Sequence, residues 1–485
     1  MRIEDTDQER FVPGAMENLI KTLHFVGLSY DEGPKLEGGE TGSHGPYIQS
    51  KRTEVYLEHA AKLIDSGHAY RCFCTRERLE EMRAKQSEQK MAPMYDRKCL
   101  ELSQKEIEAN LEAKIPFVIR QKMPYETIEF IDHVRGKVQF EGKNIDDQVL
   151  VKSDNFPTYH LANVVDDHHM EITHVIRGEE WLPSTPKHIA LYQAFGWYHP
   201  EYAHLPLLLN ADRTKLSKRQ GDVAVEDYIQ KGYLKEAIIN FVAFLGWNPG
   251  GGEEKEIYTL EELVEAFSLE KVHKAGAVFN LEKLDWFNWR WQKEKYLKEL
   301  DTVAKEIDPA VEITQDNKGQ QIYKFASSEN EEKFLLKRGK KLYEIAKNHL
   351  STDEKQALKP LVTVEEKVLK EPKEVQSHIN FYFQLPEYTK ELLTHDKMGV
   401  DLNWAKISLT QALEDLKNLE DWSLSSLQET LFKTVEKLGA KNGQIFWPVR
   451  SALSGLNFSP GVFELCWALG KEESLRRLNL ALQKL

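Results

Sequence analysis

"ITHVIRGEEWLPSTPKHIALYQAFG" runs from Ile172 to Gly196. "ITHVIRGEE" reads as a strand and "STPKHIALYQAFG" as a helix, with Ser184 or Thr185 as its cap and Pro186 in its first turn. "VLVKSD" (Val149 to Asp154) precedes them as another strand. Strand and helix in alternation predict a parallel sheet with crossover connections. Upstream, residues 14–28 and 51–66 have amphipathic helical periodicity, and Gly67 closes the second helix. Between the two halves, "IPFVIRQ", "TIEFID" and "KVQFE" predict short strands, so a sheet-bearing insert divides the parallel sheet.

Downstream, "AHLPLLLNAD" enters "RTKLSKRQG" (Arg213 to Gly221), which holds Arg213, Lys215, Lys218 and Arg219 in a chain of net charge −13. A basic cluster is ordinarily a solvated loop. At the exit of a strand in a parallel α/β sheet, however, it stands where such sheets bind ligands, and lysines there supply charge to phosphates. Beyond it the chain turns helical. "TLEELVEAF" opens with Thr259 and Glu262 in capping-box spacing. Residues 301–485 are expected to be all helical, with "SPGVFELCWALGKEESLRRL" a helix capped at Ser459–Pro460 and ending at Gly470.

At 485 residues the chain holds several domains, and its 41% hydrophobic content suits globular ones. Its apolar runs, such as "AIINFVAFLGW", are too short for a membrane span, so no membrane partner is expected. The acidic balance excludes a protein coated all over for nucleic acid but allows a local basic face.

The four cysteines are Cys72, Cys74, Cys99 and Cys466. This is no disulfide framework, and it points to a reducing compartment. "CFCT" and "YDRKCLE" place Cys72, Cys74, Tyr95, Cys99 and Glu101 near one another in sequence. Three thiolates and one oxygen would close a tetrahedral zinc site; three reduced cysteines in a zinc-free insert are the other reading. His168–His169 are not read as a metal site, because adjacent histidines on a helix do not face one point.

"KLSKR" in the basic loop resembles the Lys-Met-Ser-Lys-Ser signature of class I aminoacyl-tRNA synthetases. "RIEDTDQERFVPGA" (Arg2 to Ala15), "FPTYHLANVVDDHHMEITHVIRGEEWLPSTPKH" (Phe156 to His188) and "IFWPVRSALSG" (Ile445 to Gly455) are similar, in order, to glutamyl-tRNA synthetases of bacterial type. The resemblance covers essentially the whole chain. It implies a split Rossmann-like parallel sheet with an inserted α+β domain, then helical stem-contact and anticodon-binding domains. Expected boundaries are 1–70 and 149–215 for the catalytic halves, 71–148 for the acceptor-binding insert, 216–300 for stem contact and 301–485 for the anticodon region.

The implied activity is ATP-dependent attachment of L-glutamate to tRNA(Glu) through glutamyl-adenylate, with Mg²⁺ accompanying ATP and tRNA(Gln) as a further acceptor in some members. Glu4 would take the α-amino group of glutamate, Arg177 a carboxylate, and Tyr159 and Asn163 would line the pocket, with Trp181 and His160 behind them. Lys218, assisted by Lys215, would hold ATP phosphates. In zinc-bearing members Cys72, Cys74 and Cys99 would be ligands, with Tyr95 or the position of Glu101 as the fourth. A cytoplasmic monomer is implied.

The family's Pro-Ser-Pro-Thr-Gly and His-Ile-Gly-His segments, which precede the "RIEDTD" block, are not found in these residues. Either the start lies upstream of Met1, or the chain is a non-catalytic tRNA-binding relative. The first is the expectation, because the phosphate loop is kept.

Overall fold

The computed structural model describes all residues except 8–11, 217–223, 251, 253–254 and 317–318. The chain divides into two units, Met1–Asn288 and Trp289–Leu485.

In the first unit, helix α1 (Ala15–Val26) ends at Gly27 in the left-handed conformation. A small hairpin follows, β1 (Gly33–Pro34) with β2 (Glu40–Thr41), and then α2 (Thr53–Asp65). Strand β3 (Ala69–Cys72) leads to α3 (Arg76–Glu88), α4 (Gln104–Glu112) and β4 (Val118–Gln121). Strands β5 (Thr127–Asp132), β6 (Gly136–Glu141) and β7 (Val149–Val151) come next. Helix α5 (Tyr159–His169), β8 (His174–Gly178), α6 (Thr185–Phe195) and β9 (Glu201–Leu205) complete the stretch that carries the site.

The β8–α6–β9 unit is the predicted crossover. The strands are parallel and in register from His174↔Glu201 to Gly178↔Leu205. Helix α6 buries Ile189, Ala190, Leu191 and Tyr192, and Gly196 ends it at φ 70°. Removing Ile189 and Leu191 from water stabilises by about 1.5–3 kcal/mol each, which is why the crossover packs.

Two expectations are corrected here. "VLVKSD" does not open the parallel sheet: β7 pairs antiparallel with β4, in a sheet ordered β3-β4-β7. Nor do the insert strands share one sheet. The β5–β6 hairpin joins β9 and β8 in the order β6-β5-β9-β8, with β5 parallel to β9 through Asp132↔Tyr202. The reason lies in the burial alternation of β5, whose Ile128 and Phe130 face inward with Tyr202 and Ile189.

The unit continues with β10 (Leu208–Leu209), α7 (Val225–Gln230), α8 (Lys235–Ala243), α9 (Leu260–Ala266) and β11 (Ala277–Val278). The capping box at Thr259 and Glu262 forms as expected. Helix α10 (Leu281–Ile307) runs through the division between the units.

The second unit is not wholly helical. "VEITQ" and "QIYK" pair as β12 (Glu312–Gln315) and β13 (Gln321–Lys324), a hairpin with alternating side chains. Otherwise helices carry it. Among them, α11 (Ser328–Ala346) packs on α12 (Glu354–Thr363) with Gly339 at the crossing, where a Cβ would lie 2.5 Å from the Leu358 carbonyl oxygen. The segment at Ser459 also differs from expectation: its helix is Val462–Leu469 with Gly461 at the N-cap, and a further helix, Lys471–Lys484, follows Gly470. Arg477 is fully buried there, and its guanidinium donates to the carbonyls of Phe381, Leu453 and Tyr382 and to Glu473. No helix of the described residues is long and apolar enough to cross a membrane.

Candidate active site

A cavity of about 990 Å³ opens beside β8 in the first unit, lined among others by Glu4, Tyr159, Arg177 and Trp181. The N-terminal segment reaches it by a parallel bridge between Ile3 and Ile48. Arg2 fixes that segment: its guanidinium donates to Asp167 at 2.6 Å and to Glu4 at 3.0 Å, and lies 3.7 Å from Asp166. Asp166, fully buried, also accepts from Gln49, Arg52 and Tyr56. Burial pushes the Asp167 carboxyl above its ordinary range against the pull of Arg2.

Tyr159 and Asn163 stand one turn apart on α5, but only Tyr159 lines the cavity. Asn163 is 4% exposed, and its Oδ1 has no hydrogen-bond partner. The shared face is real, yet the second residue sits a turn deeper in a helix that buries most of its length. The Tyr159 ring lies 4.4 Å from that of Trp181.

Among the described residues, Arg177 is held by neutral groups alone. Nη1 donates to the Tyr159 hydroxyl at 3.1 Å and Nη2 to the Thr185 hydroxyl at 3.0 Å. Nε donates to His204 Nε2 at 3.2 Å. A guanidinium only donates, so this Nε2 is the unprotonated nitrogen. His204 Nδ1 then donates to Asp132 at 2.6 Å, and both side chains are completely buried. Asp132 also accepts the backbone N–H groups of Val134, Arg135 and His204. On the other side, Arg177 Nη2 lies 3.4 Å from His188 Nδ1, and His188 Nε2 lies 3.0 Å from His160 Nδ1. Burial and the nearby Arg177 hold His188 well below the ordinary histidine range. Burial, with Lys187 and Arg177 nearby, lowers His160 to about 4. Both rings are therefore neutral at pH 7, and among the described residues no carboxylate pairs with Arg177, whose positive charge faces the cavity.

Of these positioning groups, Asp132, His204 and His188 escaped the sequence reading. The signals available were single polar residues in apolar strands: Asp132 ending "TIEFID" and His204 within "YAHLP".

Lys215 is exposed and lies 3.4 Å from Glu180. Lys218 lies outside the described residues. In the insert, Cys72, Cys74 and Cys99 bring their sulfurs within 4.8 Å of one another. The Tyr95 hydroxyl is 3.3 Å from Cys74 Sγ and accepts the Cys99 N–H at 3.0 Å. Glu101, the other candidate ligand, is exposed, and its carboxylate does not join the three sulfurs. It closes the short turn Lys98–Glu101, which aims Cys99 inward and Glu101 outward. Three sulfurs and one phenolic oxygen fit a tetrahedral zinc ion.

Residues 1–286 match the family model for the catalytic domain of class I tRNA synthetases of the E and Q type, and residues 341–482 match an anticodon binding domain. The chain is 42% identical over 487 residues to a glutamate–tRNA ligase of Clostridium kluyveri, covering all of this chain and 91% of the relative. It is 43% identical over 493 residues to one of Chlorobium chlorochromatii, again covering all of this chain and 91% of the relative. A crystal structure of a glutamate tRNA ligase from Elizabethkingia meningosepticum, in complex with its amino acid, has 34% identity and a TM-score of 0.69, covering 100% of this chain and 92% of that one. A guanidinium with no carboxylate partner among the described residues, in a cavity on a parallel βαβ unit followed in sequence by a basic stretch, thus occurs in a chain that belongs to the bacterial-type glutamate–tRNA ligases among the class I tRNA synthetases.

Proposed function

We infer that the protein joins L-glutamate to tRNA(Glu) in two steps, using ATP with Mg²⁺ and passing through glutamyl-adenylate. The observation that carries this reading furthest is the uncompensated Arg177 in a cavity that also presents Glu4. An acidic amino acid presents two carboxylates and an ammonium. Arg177 offers a planar fork to one carboxylate, and Glu4 offers its charge to the ammonium. Asn163, a turn deeper and outside the cavity lining, would support Tyr159 from beneath rather than touch glutamate.

Lys218 and Lys215 neutralise the phosphates of ATP as the glutamate carboxylate attacks the α-phosphorus. Catalysis of this kind rests on positioning and on charge placed where charge develops. The insert at 71–148 holds the acceptor end of the tRNA, residues 216–300 contact its inner stem, and 301–485 read the anticodon. Cys72, Cys74, Cys99 and Tyr95 hold one structural zinc ion, which would tie β3 to the turn at Lys98–Glu101. The protein works as a monomer in the cytoplasm.

The test is glutamate-dependent exchange of pyrophosphate into ATP in the presence of tRNA, followed by charging of purified tRNA(Glu) and tRNA(Gln). Charging of tRNA(Glu) with glutamate is expected. Preference for another amino acid would overturn the reading, and the tRNA(Gln) arm decides whether the second acceptor is used.

A further inference from the structure

We propose that His133, His174 and Glu201 form a divalent transition-metal site, separate from the cysteine cluster and from the residues assigned to glutamate and ATP. Three neighbouring strands build it. His174 opens β8 and Glu201 opens β9, and the two are register partners, so their side chains leave the same face of the parallel sheet. His133 follows Asp132, the residue of β5 that pairs with Tyr202, so it emerges on the Glu201 face.

The ligand atoms of the three residues all lie within 4.8 Å of one another. His133 Nε2 contacts the Glu201 carboxylate, and His174 Nε2 lies 3.6 Å from it. A zinc ion with bonds of about 2.0–2.2 Å needs donors separated by about 3.3–3.6 Å, which small side-chain rotations supply here. The other nitrogen of His174, Nδ1, sits 3.0 Å from the Thr173 hydroxyl, the kind of outer partner that orients a ligating imidazole. Two imidazoles and a carboxylate suit zinc, nickel or cobalt rather than calcium or magnesium.

The site is half open to solvent, with side-chain exposures of 31%, 47% and 61% for His133, His174 and Glu201, which leaves room for water as a further ligand. Its structural effect is specific. Strands β5 and β9 share a single register pair, and an ion bridging His133 to Glu201 and His174 would pin the hairpin to the sheet. His174 also lines the cavity and lies three residues before Arg177 on β8, so the ion would stiffen the strand that carries the guanidinium.

The experiment is zinc stoichiometry by elemental analysis after dialysis of the full chain against micromolar free zinc, comparing wild type, the double variant His133→Ala/His174→Ala, and Glu201→Gln. Wild type is expected to retain one zinc per chain more than either variant, and the zinc-dependent rise in Tm is expected to shrink by the same site. Cobalt substitution reports on the cysteines: the thiolate charge-transfer band should be the same in all three proteins. Equal zinc content in wild type and the double variant would overturn the proposal. So would loss of zinc together with the thiolate band, since the missing ion would then belong to the cysteines. All three residues are at the surface, so circular dichroism is expected to match across the set.

Discussion

The Nε of Arg177 donates to Nε2 of His204 at 3.2 Å, and the far side of that imidazole is anchored on buried Asp132 at 2.6 Å. The carboxylate therefore acts on Arg177 at one remove. It fixes which nitrogen of His204 accepts, and so where the guanidinium can lie, without neutralising it. Had the carboxylate touched Arg177 directly, the guanidinium would have been neutralised before any ligand arrived.

Arg177→Ala is expected to raise the KM for glutamate by about 10- to 100-fold, the worth of charge-assisted hydrogen bonds to a carboxylate, with a smaller change in kcat. Arg177→Lys should recover only part of this, because an ammonium cannot reproduce the fork held by Tyr159, Thr185 and His204. Steady-state kinetics with varied glutamate checks both. An unchanged KM would remove Arg177 from the glutamate site.

Asp132→Asn removes an acceptor that serves His204 and three backbone N–H groups. A loss of about 3 kcal/mol of stability is expected, by denaturant unfolding. The glutamate KM should rise as well, by less than in Arg177→Ala, because the arginine is misplaced rather than absent. The nitrogen chemical shifts of His204 should report the lost Nδ1-protonated tautomer. A KM that stays put while stability falls would make Asp132 structural only.

Acid should loosen the first unit in a defined window. His160 has a folded value of about 4 against an ordinary 6.5, lowered chiefly by burial. Between those values the unfolded chain binds a proton that the folded chain does not, so stability falls as pH drops through that range and is full above 6.5. His160→Gln should flatten the pH dependence of Tm over pH 4 to 6.5. A slope identical to wild type would show that His160 is not the group responsible.

Lys218→Ala is expected to slow pyrophosphate exchange by about 100-fold or more while leaving tRNA affinity unchanged, since its charge is assigned to the developing phosphate charge. Filter binding of tRNA(Glu) separates the two effects. Loss of tRNA binding without loss of exchange would reassign the loop.

Cys99→Ser should lower the zinc bound by the cysteine cluster, abolish the cobalt–thiolate band and increase hydrogen exchange across residues 72–101, where the cluster ties β3 to the Lys98–Glu101 turn. Glu101→Ala should change none of these. Zinc retained by Cys99→Ser and lost by Glu101→Ala would reverse the choice of ligands.

Much of this protein was legible without coordinates. The amphipathic spacing of α2, the cap and Pro186 that open α6, the glycines that close both helices and the β8–α6–β9 crossover follow from local periodicity and turn chemistry, which are properties of consecutive residues. The candidates Glu4, Tyr159 and Arg177 were legible through resemblance, and the structure brings them to one cavity. Strand pairing was not legible. Whether β7 joins β4 or β8, and whether the β5–β6 hairpin serves the insert or the parallel sheet, depends on partners far along the chain. The same holds for Asp132, His204, His188 and Thr185, which lie up to 72 residues apart and act as one network only when two strands and a helix are packed together. Sequence by itself determined the residue types and the local elements. Tertiary structure alone decided which charges were neutralised by burial and pairing, and that the charge on Arg177 was left to meet a ligand.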